Sequence, residues 1–176
     1  MKYWLGVVFL LASGALGALP LVDGVVTEGE YDHQASVIGD TATVSWSSDG
    51  NGGLFVAVSA PTSGWVGVGL GSAVMDGAWI FMGFVKDGQP VFSEQRGLGH
   101  THRPVDAPRA DQWAVQGGER TTIEFHLPSD RLPVSGSSIP FITALLMTAV
   151  RSSFSNSINR CFLAISVSIC AVFSSK

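Results

Sequence analysis

Apolar residues along this chain recur mostly at every second position, in runs of five to nine residues separated by glycine, proline and aspartate. Thr121–Leu127 is the clearest case. Ile123, Phe125 and Leu127 share one face, and Thr122, Glu124 and His126 share the other. Period-two alternation of this kind predicts a half-buried strand of an antiparallel sheet, with the polar face, His126 included, toward solvent. The same reading predicts strands over 41–46, Leu54–Ala60, 64–70, 78–85, 90–94, Gln112–Gln116 and 139–147. Asp49-Gly50-Asn51-Gly52-Gly53 breaks the chain as a hairpin turn would, and Lys86-Asp87-Gly88-Gln89 joins the most evident hairpin. Residues 97–108, with His100, His102 and two prolines, read as a loop. Short strands at regular turn spacing, without an amphipathic helix, predict a single all-β domain, an antiparallel immunoglobulin-like β-sandwich.

Composition agrees with that class. The 176 residues are 46% hydrophobic and 14% charged, with 21 glycines, enough apolar content for one sizeable core. The net charge of -4, without a cluster of Lys or Arg, argues against a nucleic-acid partner. The chain opens with Lys2, an apolar stretch over 4–12 and small residues over 13–18, the layout of a secretory signal peptide expected to be cut after Gly17. The folded body is then 18–150, secreted or held at the extracellular face of a membrane. Residues 151–176 change character, with a Ser/Asn-rich linker followed by an apolar tail over 161–173. Three readings of that tail stay open: a lipid-anchor signal with attachment near Ser153 or Ser155, a short membrane tail, or an end that is not the native end of the domain. Cys161 and Cys170 both lie there, so the body itself is expected to be stable without disulfides.

Thr62-Ser63-Gly64-Trp65-Val66-Gly67-Val68-Gly69-Leu70, followed by Met75-Asp76-Gly77-Ala78-Trp79-Ile80 and Gly83-Phe84-Val85, resembles the DOMON superfamily. These domains occur in dopamine β-monooxygenase-like proteins, in cytochrome domains of sugar dehydrogenases and in stand-alone secreted proteins. Asp23-Gly24-Val25, Gly29-Glu30-Tyr31 and Thr121-Thr122-Ile123-Glu124-Phe125 are similar to the family as well. The resemblance implies a module that binds haem b and carries electrons, with Met75, in the loop after the Gly-Trp strand, as an axial ligand. It implies that Gly67 and Gly69, beside Trp65, leave room for a flat macrocycle. A Met/His pair on iron would raise the potential into an electron-transfer range and leave no open position for oxygen. Met82, inside a strand, is expected in the core.

The second ligand in such domains is a histidine from the last strand or just beyond it, and this sequence has no histidine after His126. Either haem has been lost here, or the C-terminal end replaces the residues that would hold it. His100 and His102 form a His-x-His pair which in extended backbone would share one face and could hold copper or zinc. Haem binding with electron transfer to a partner protein is therefore weighed against a sugar- or surface-binding sandwich, in which Trp65, Trp79 or Trp113 would stack on a ligand. A copper site at His100 and His102 ranks below both. No nucleophile–base arrangement or phosphate-cradling loop points to catalysis by the chain alone.

Overall fold

A computed structural model of the chain describes residues 18–133, 139–146 and 162–167, with side chains up to residue 143. The readings of a signal peptide, of Ser153 or Ser155 as an attachment point and of the two cysteines fall outside these residues. The strands are β1 (His33–Val37), β2 (Ala42–Ser48), β3 (Leu54–Ala60), β4 (Val66–Leu70), β5 (Trp79–Lys86), β6 (Gln89–Leu98), β7 (Thr101–Pro104), β8 (Gln112–Gln116), β9 (Thr121–Leu127), β10 (Phe141–Leu146) and β11 (Phe162–Val167). They form two antiparallel sheets, one of five strands in the order β1-β2-β3-β9-β8 and one of six in the order β11-β10-β4-β5-β6-β7. The chain is thus an all-β sandwich, as its alternation predicts.

β3, β8 and β9 coincide with the sequence expectation, and β2, β4, β5, β6 and β10 lie within a few residues of it. Two strands were not expected. β1 lies in the polar lead-in, and β7 lies inside the stretch read as a loop, its pairing with β6 running from Gln95↔Pro104 to Leu98↔Thr101. Both are short edge strands held largely by backbone pairing: β7 is exposed throughout, and β1 gives the core only Val37 at its end. Part of the apolar tail also pairs, as β11 against β10.

The core between the sheets is filled by aromatic contacts. Phe81 stacks on Phe125 with centroids 4.5 Å apart, and Phe92 stacks on Trp113 at 5.3 Å. Gly83 permits the sheets to close, because a Cβ there would stand 2.2 Å from Ile123 Cγ2. The hairpin of β5 and β6 turns on Asp87 and Gly88, both at positive φ (52° and 75°), the two-residue geometry that matches strand twist.

The five-stranded sheet departs from the expected half-solvated face. Ser45, Ser47, Phe55, Ala57, Ser59, Thr122, Glu124 and His126 point away from the core yet are buried. The N-terminal segment before β1 lies across them. Asp23 N (3.1 Å) and Gly24 N (2.6 Å) donate to Glu124 Oε2, the Tyr31 hydroxyl donates to Oε1 (2.8 Å), and Asp32 N donates to Ser47 Oγ (2.7 Å). Glu124 has no exposed surface. Burial, partly offset by these donors, raises its pKa above the ordinary 4.5, and burial with the Glu124 contact raises that of Tyr31 above its usual range. Glu30 binds Leu21 N and Thr27 N, folding the segment on itself.

Glu124→Ala should destabilise the fold by about 3 kcal/mol, since three donors lose one buried acceptor. Because the native carboxyl holds its proton more tightly than the unfolded one, its contribution is full below pH 4.5 and is lost as pH rises through the native pKa. Glu124→Gln, whose carbonyl can take the two amides while its NH2 donates to Tyr31, should remove that slope. Thermal unfolding of the three proteins across pH 4 to 8 (approximate limits) measures both effects.

Candidate functional site

On the six-stranded sheet, Val66, Val68, Leu70, Phe81 and Phe141 face the core. Alternation therefore places Gly67, Gly69, Ile80, Met82, Phe84 and Ile142 on the outer face. Ile80 is buried there, and Met82, Phe84 and Ile142 are half-buried, an apolar surface on the outside of a sandwich. Met82, expected in the core, belongs to this outer face. The space above the two glycines is occupied. A Cβ at Gly67 would meet Met82 Cγ at 3.1 Å, and one at Gly69 would meet Ile142 Cγ1 at 2.8 Å and Ala78 Cβ at 3.1 Å. These glycines admit neighbouring side chains in place of the open slot expected of them. Trp65 is half-buried immediately before β4.

The segment between β4 and β5 carries Met75 onto this face. Gly71 N donates to Pro140 O (2.8 Å), Ser72 Oγ to Asp76 O (2.8 Å) and Ala78 N to Met75 O (3.1 Å). Gly77 N donates to Gly97 O (3.1 Å), Gly97 N to Ala78 O (2.9 Å) and Gly99 N to Asp76 Oδ1 (2.8 Å). The loop closes so tightly over β6 that a Cβ at Gly97 would fall 1.7 Å from the Met75 carbonyl oxygen. Met75 itself is half-buried.

His102 stands on the other side of Gly97, its register partner in β7, and alternation puts its ring on the same outer face. Its Nδ1 is hydrogen-bonded to Gln95 Oε1. His100 lies in the turn between β6 and β7, so the two histidines do not share one extended strand as the His-x-His reading requires. Among the described residues no three His, Cys, Asp or Glu side chains group as a metal site.

The remaining histidines are engaged elsewhere. His126, read from the sequence as solvated, is buried under the five-stranded sheet's covering. Its ring packs on Phe55 (4.4 Å), Nδ1 meets Asp111 Oδ1 at 2.7 Å and Nε2 meets Asp49 Oδ2 at 3.2 Å. Burial alone would raise the Asp49 pKa, but the Asn51 and Gly53 amides and His126 outweigh it and hold it below its ordinary value. His33 stacks on Trp46. Of the tryptophans considered for stacking, Trp113 is 47% exposed with one face on Phe92, and Trp79 is packed beneath Arg96 and Arg109. That Arg–Trp–Arg group was missed from the sequence. Its one sequence signal is the charge pattern of β6, where Glu94 and Arg96 alternate in phase with core-facing Phe92.

Two packed antiparallel sheets with a half-buried apolar outer face and a pinned loop define an immunoglobulin-like β-sandwich. No family model matches the sequence, and no curated protein matches it. Among solved structures, the fold is similar to the cytochrome b domain of pyranose dehydrogenase from Coprinopsis cinerea, with a TM-score of 0.50 and 15% identity over 76% of this chain and 80% of that one. The cytochrome domain of cellobiose dehydrogenase from Myriococcum thermophilum aligns at a TM-score of 0.48 and 12% identity over 65% and 68% of the two chains. The first likeness shows the fold: the chain shares the β-sandwich fold of that cytochrome b domain.

Gly97→Ala should lift the Met75 loop from β6, because neither the carbonyl nor the strand backbone can yield by the distance required. We expect a loss of about 2 kcal/mol or more in denaturant unfolding, with amide-shift changes concentrated over residues 72–78.

Proposed function

We propose that this chain is a haem b-binding electron-transfer module, in which the outer face of the six-stranded sheet would hold the cofactor and Met75 would be a ligand to its iron. The observation that carries this reading is the loop over β6, which sets the Met75 backbone against Gly97, the register partner of His102, beside the apolar face of β4, β5 and β10. The cytochrome fold supports it at a coarser level.

The residues present can be tested against the group. Between the sheets a cavity of about 30 Å3, lined by Val44, Trp46, Leu54, Val56, Leu70, Ile139 and Phe141, is too small for a macrocycle. The outer face fits better. Ile80, Met82, Phe84 and Ile142 offer an apolar bed, and Met75 with His102 offers a thioether and an imidazole. When bound, haem with such ligands supplies one-electron transfer at a potential raised by the thioether.

The protein's part is positional. Gln95 engages His102 Nδ1, which sets the tautomer and leaves Nε2 as the coordinating nitrogen. Asp76 ties the Met75 loop to the β6–β7 turn through Gly99, so the two candidate ligands rest on one hydrogen-bonded frame. As a carrier without a catalytic constellation of its own, the module would serve a donor and an acceptor supplied by other proteins. The leader-like pattern of residues 1–17 supports a reading in which that work is done outside the cell membrane.

Reconstitution with haem, followed by spectra of both oxidation states, tests the proposal. Low-spin b-type bands are expected for the native chain, with conversion toward high spin in Met75→Ala and in His102→Ala. Gln95→Ala should weaken haem affinity about tenfold while keeping the spectrum. Absence of haem uptake, or spectra indifferent to Met75, would defeat the reading.

A further inference from the structure

At the end of the sandwich where β5 begins, a groove of about 530 Å3 is lined by Trp79, Ala107, Pro108, Arg109, Asp130 and Arg131. That volume lies within the ~300–1,000 Å3 range of small-molecule sites. One of its walls, at Arg109, is anchored from the inner side of β6. Both carboxylate oxygens of Glu94 are taken by backbone amides, Oε2 by Arg109 N (2.6 Å) and Oε1 by Ala110 N (3.0 Å). Glu94 therefore fixes the backbone at Arg109, and its hydrogen bonds go to amides in place of the guanidinium.

The guanidinium is held flat by other means. Its central carbon lies 3.7 Å from the Trp79 ring centroid, with that of Arg96 4.7 Å from the same ring. Nη1 donates to the Arg131 carbonyl, and Nε is buried without an acceptor. Among the described residues, neither Arg96 nor Arg109 has a carboxylate salt-bridge partner, although they share one indole. Burial and the neighbouring Arg96 charge lower the Arg109 pKa, and the nearby Glu94 carboxylate offsets this only in part. Protein stability alone does not call for two unpaired guanidinium groups on one ring beside an open groove.

We propose that this groove binds a hydroxylated carboxylate of the uronic acid type, its carboxylate on Arg109 and Arg131 and its hydroxyls donating to Asp130. With Nη1 on the Arg131 carbonyl and Nε buried, the guanidinium clamped on the indole leaves Nη2 as the donor to a ligand carboxylate, with little entropy left to lose. Asp130 in the same wall disfavours a dianion such as phosphate, and it accepts from neutral hydroxyls. Ala107 and Pro108 give the non-polar side of a sugar ring a surface to lie on. This site uses none of the residues assigned to haem, and it stands or falls separately.

The test is a titration of the haem-free full chain with glucuronate, followed by NMR on the Trp79 indole N–H, assigned through Trp79→Phe, and on the arginine Nε–H signals. Saturable shifts of both are expected. Glucose should produce neither, and inorganic phosphate should bind more weakly than glucuronate. Arg109→Gln should lower the affinity about tenfold or more. If Arg109→Gln fails to fold, Arg131→Gln is measured in its place, with loss of affinity again expected. Equal binding of glucose, phosphate as strong as glucuronate, or indifference to the arginine variants would each overturn the proposal. So would the absence of shifts.

Discussion

A carboxylate with no exposed surface lies in the middle of the five-stranded sheet, and its three donors all come from the segment that precedes the first strand. Leaving Glu124 buried without them would cost far more than any single apolar contact contributes. The segment is therefore obliged to lie across that sheet, and with it in place β3 and β9 are buried on both faces. The asymmetry of the molecule follows. One sheet is closed on the outside by its own chain, and the other keeps a half-buried apolar face on which a ligand can rest.

That open face is organised from its rim. Gly97 is the point at which three pieces of backbone meet: the loop carrying Met75, strand β6, and strand β7 carrying His102. A residue with a side chain would separate them. Two positions earlier Gln95 orients His102, and from the opposite side of the same strand Glu94 and Arg96 organise the groove at the sandwich end. A single strand thus serves one face with its odd positions and the other with its even ones, the ordinary consequence of the pleat.

Much of this architecture was legible in the sequence, because period two reports which side chains share a face. β3, β8 and β9 were delimited by it, and the Gly-Trp strand with its following methionine was enough to point to the fold type. Periodicity does not report what covers a face. Glu124 and His126 looked solvated; the return of the N-terminal segment some hundred residues away in sequence covers the first, and Phe55, Asp49 and Asp111 enclose the second. β1 and β7 escaped for a different reason: their pairing rests on backbone groups, and backbone groups leave no trace in side-chain polarity. The candidate site divides along the same line. Met75 is announced by its local motif. The adjacency of Met75 to His102, and of Arg109 to Trp79, is created by strand register, which no local pattern encodes.

The reach of the Glu124 contacts also bears on the order in which the structure can be assembled. Its donors are separated from it by 101, 100 and 93 residues. A chain emerging from its N-terminus makes the covering segment first and its anchor more than ninety residues later. Until β9 has formed, that segment has no acceptor to dock against, and the outward row of β3 stays wet. Long-range closure of this kind is slow because loop entropy is spent before the contact is gained. The earliest part of the body to be synthesised is thus bound to be among the last to find its place, and any factor that holds the N-terminal segment would delay completion of the sandwich without touching its core.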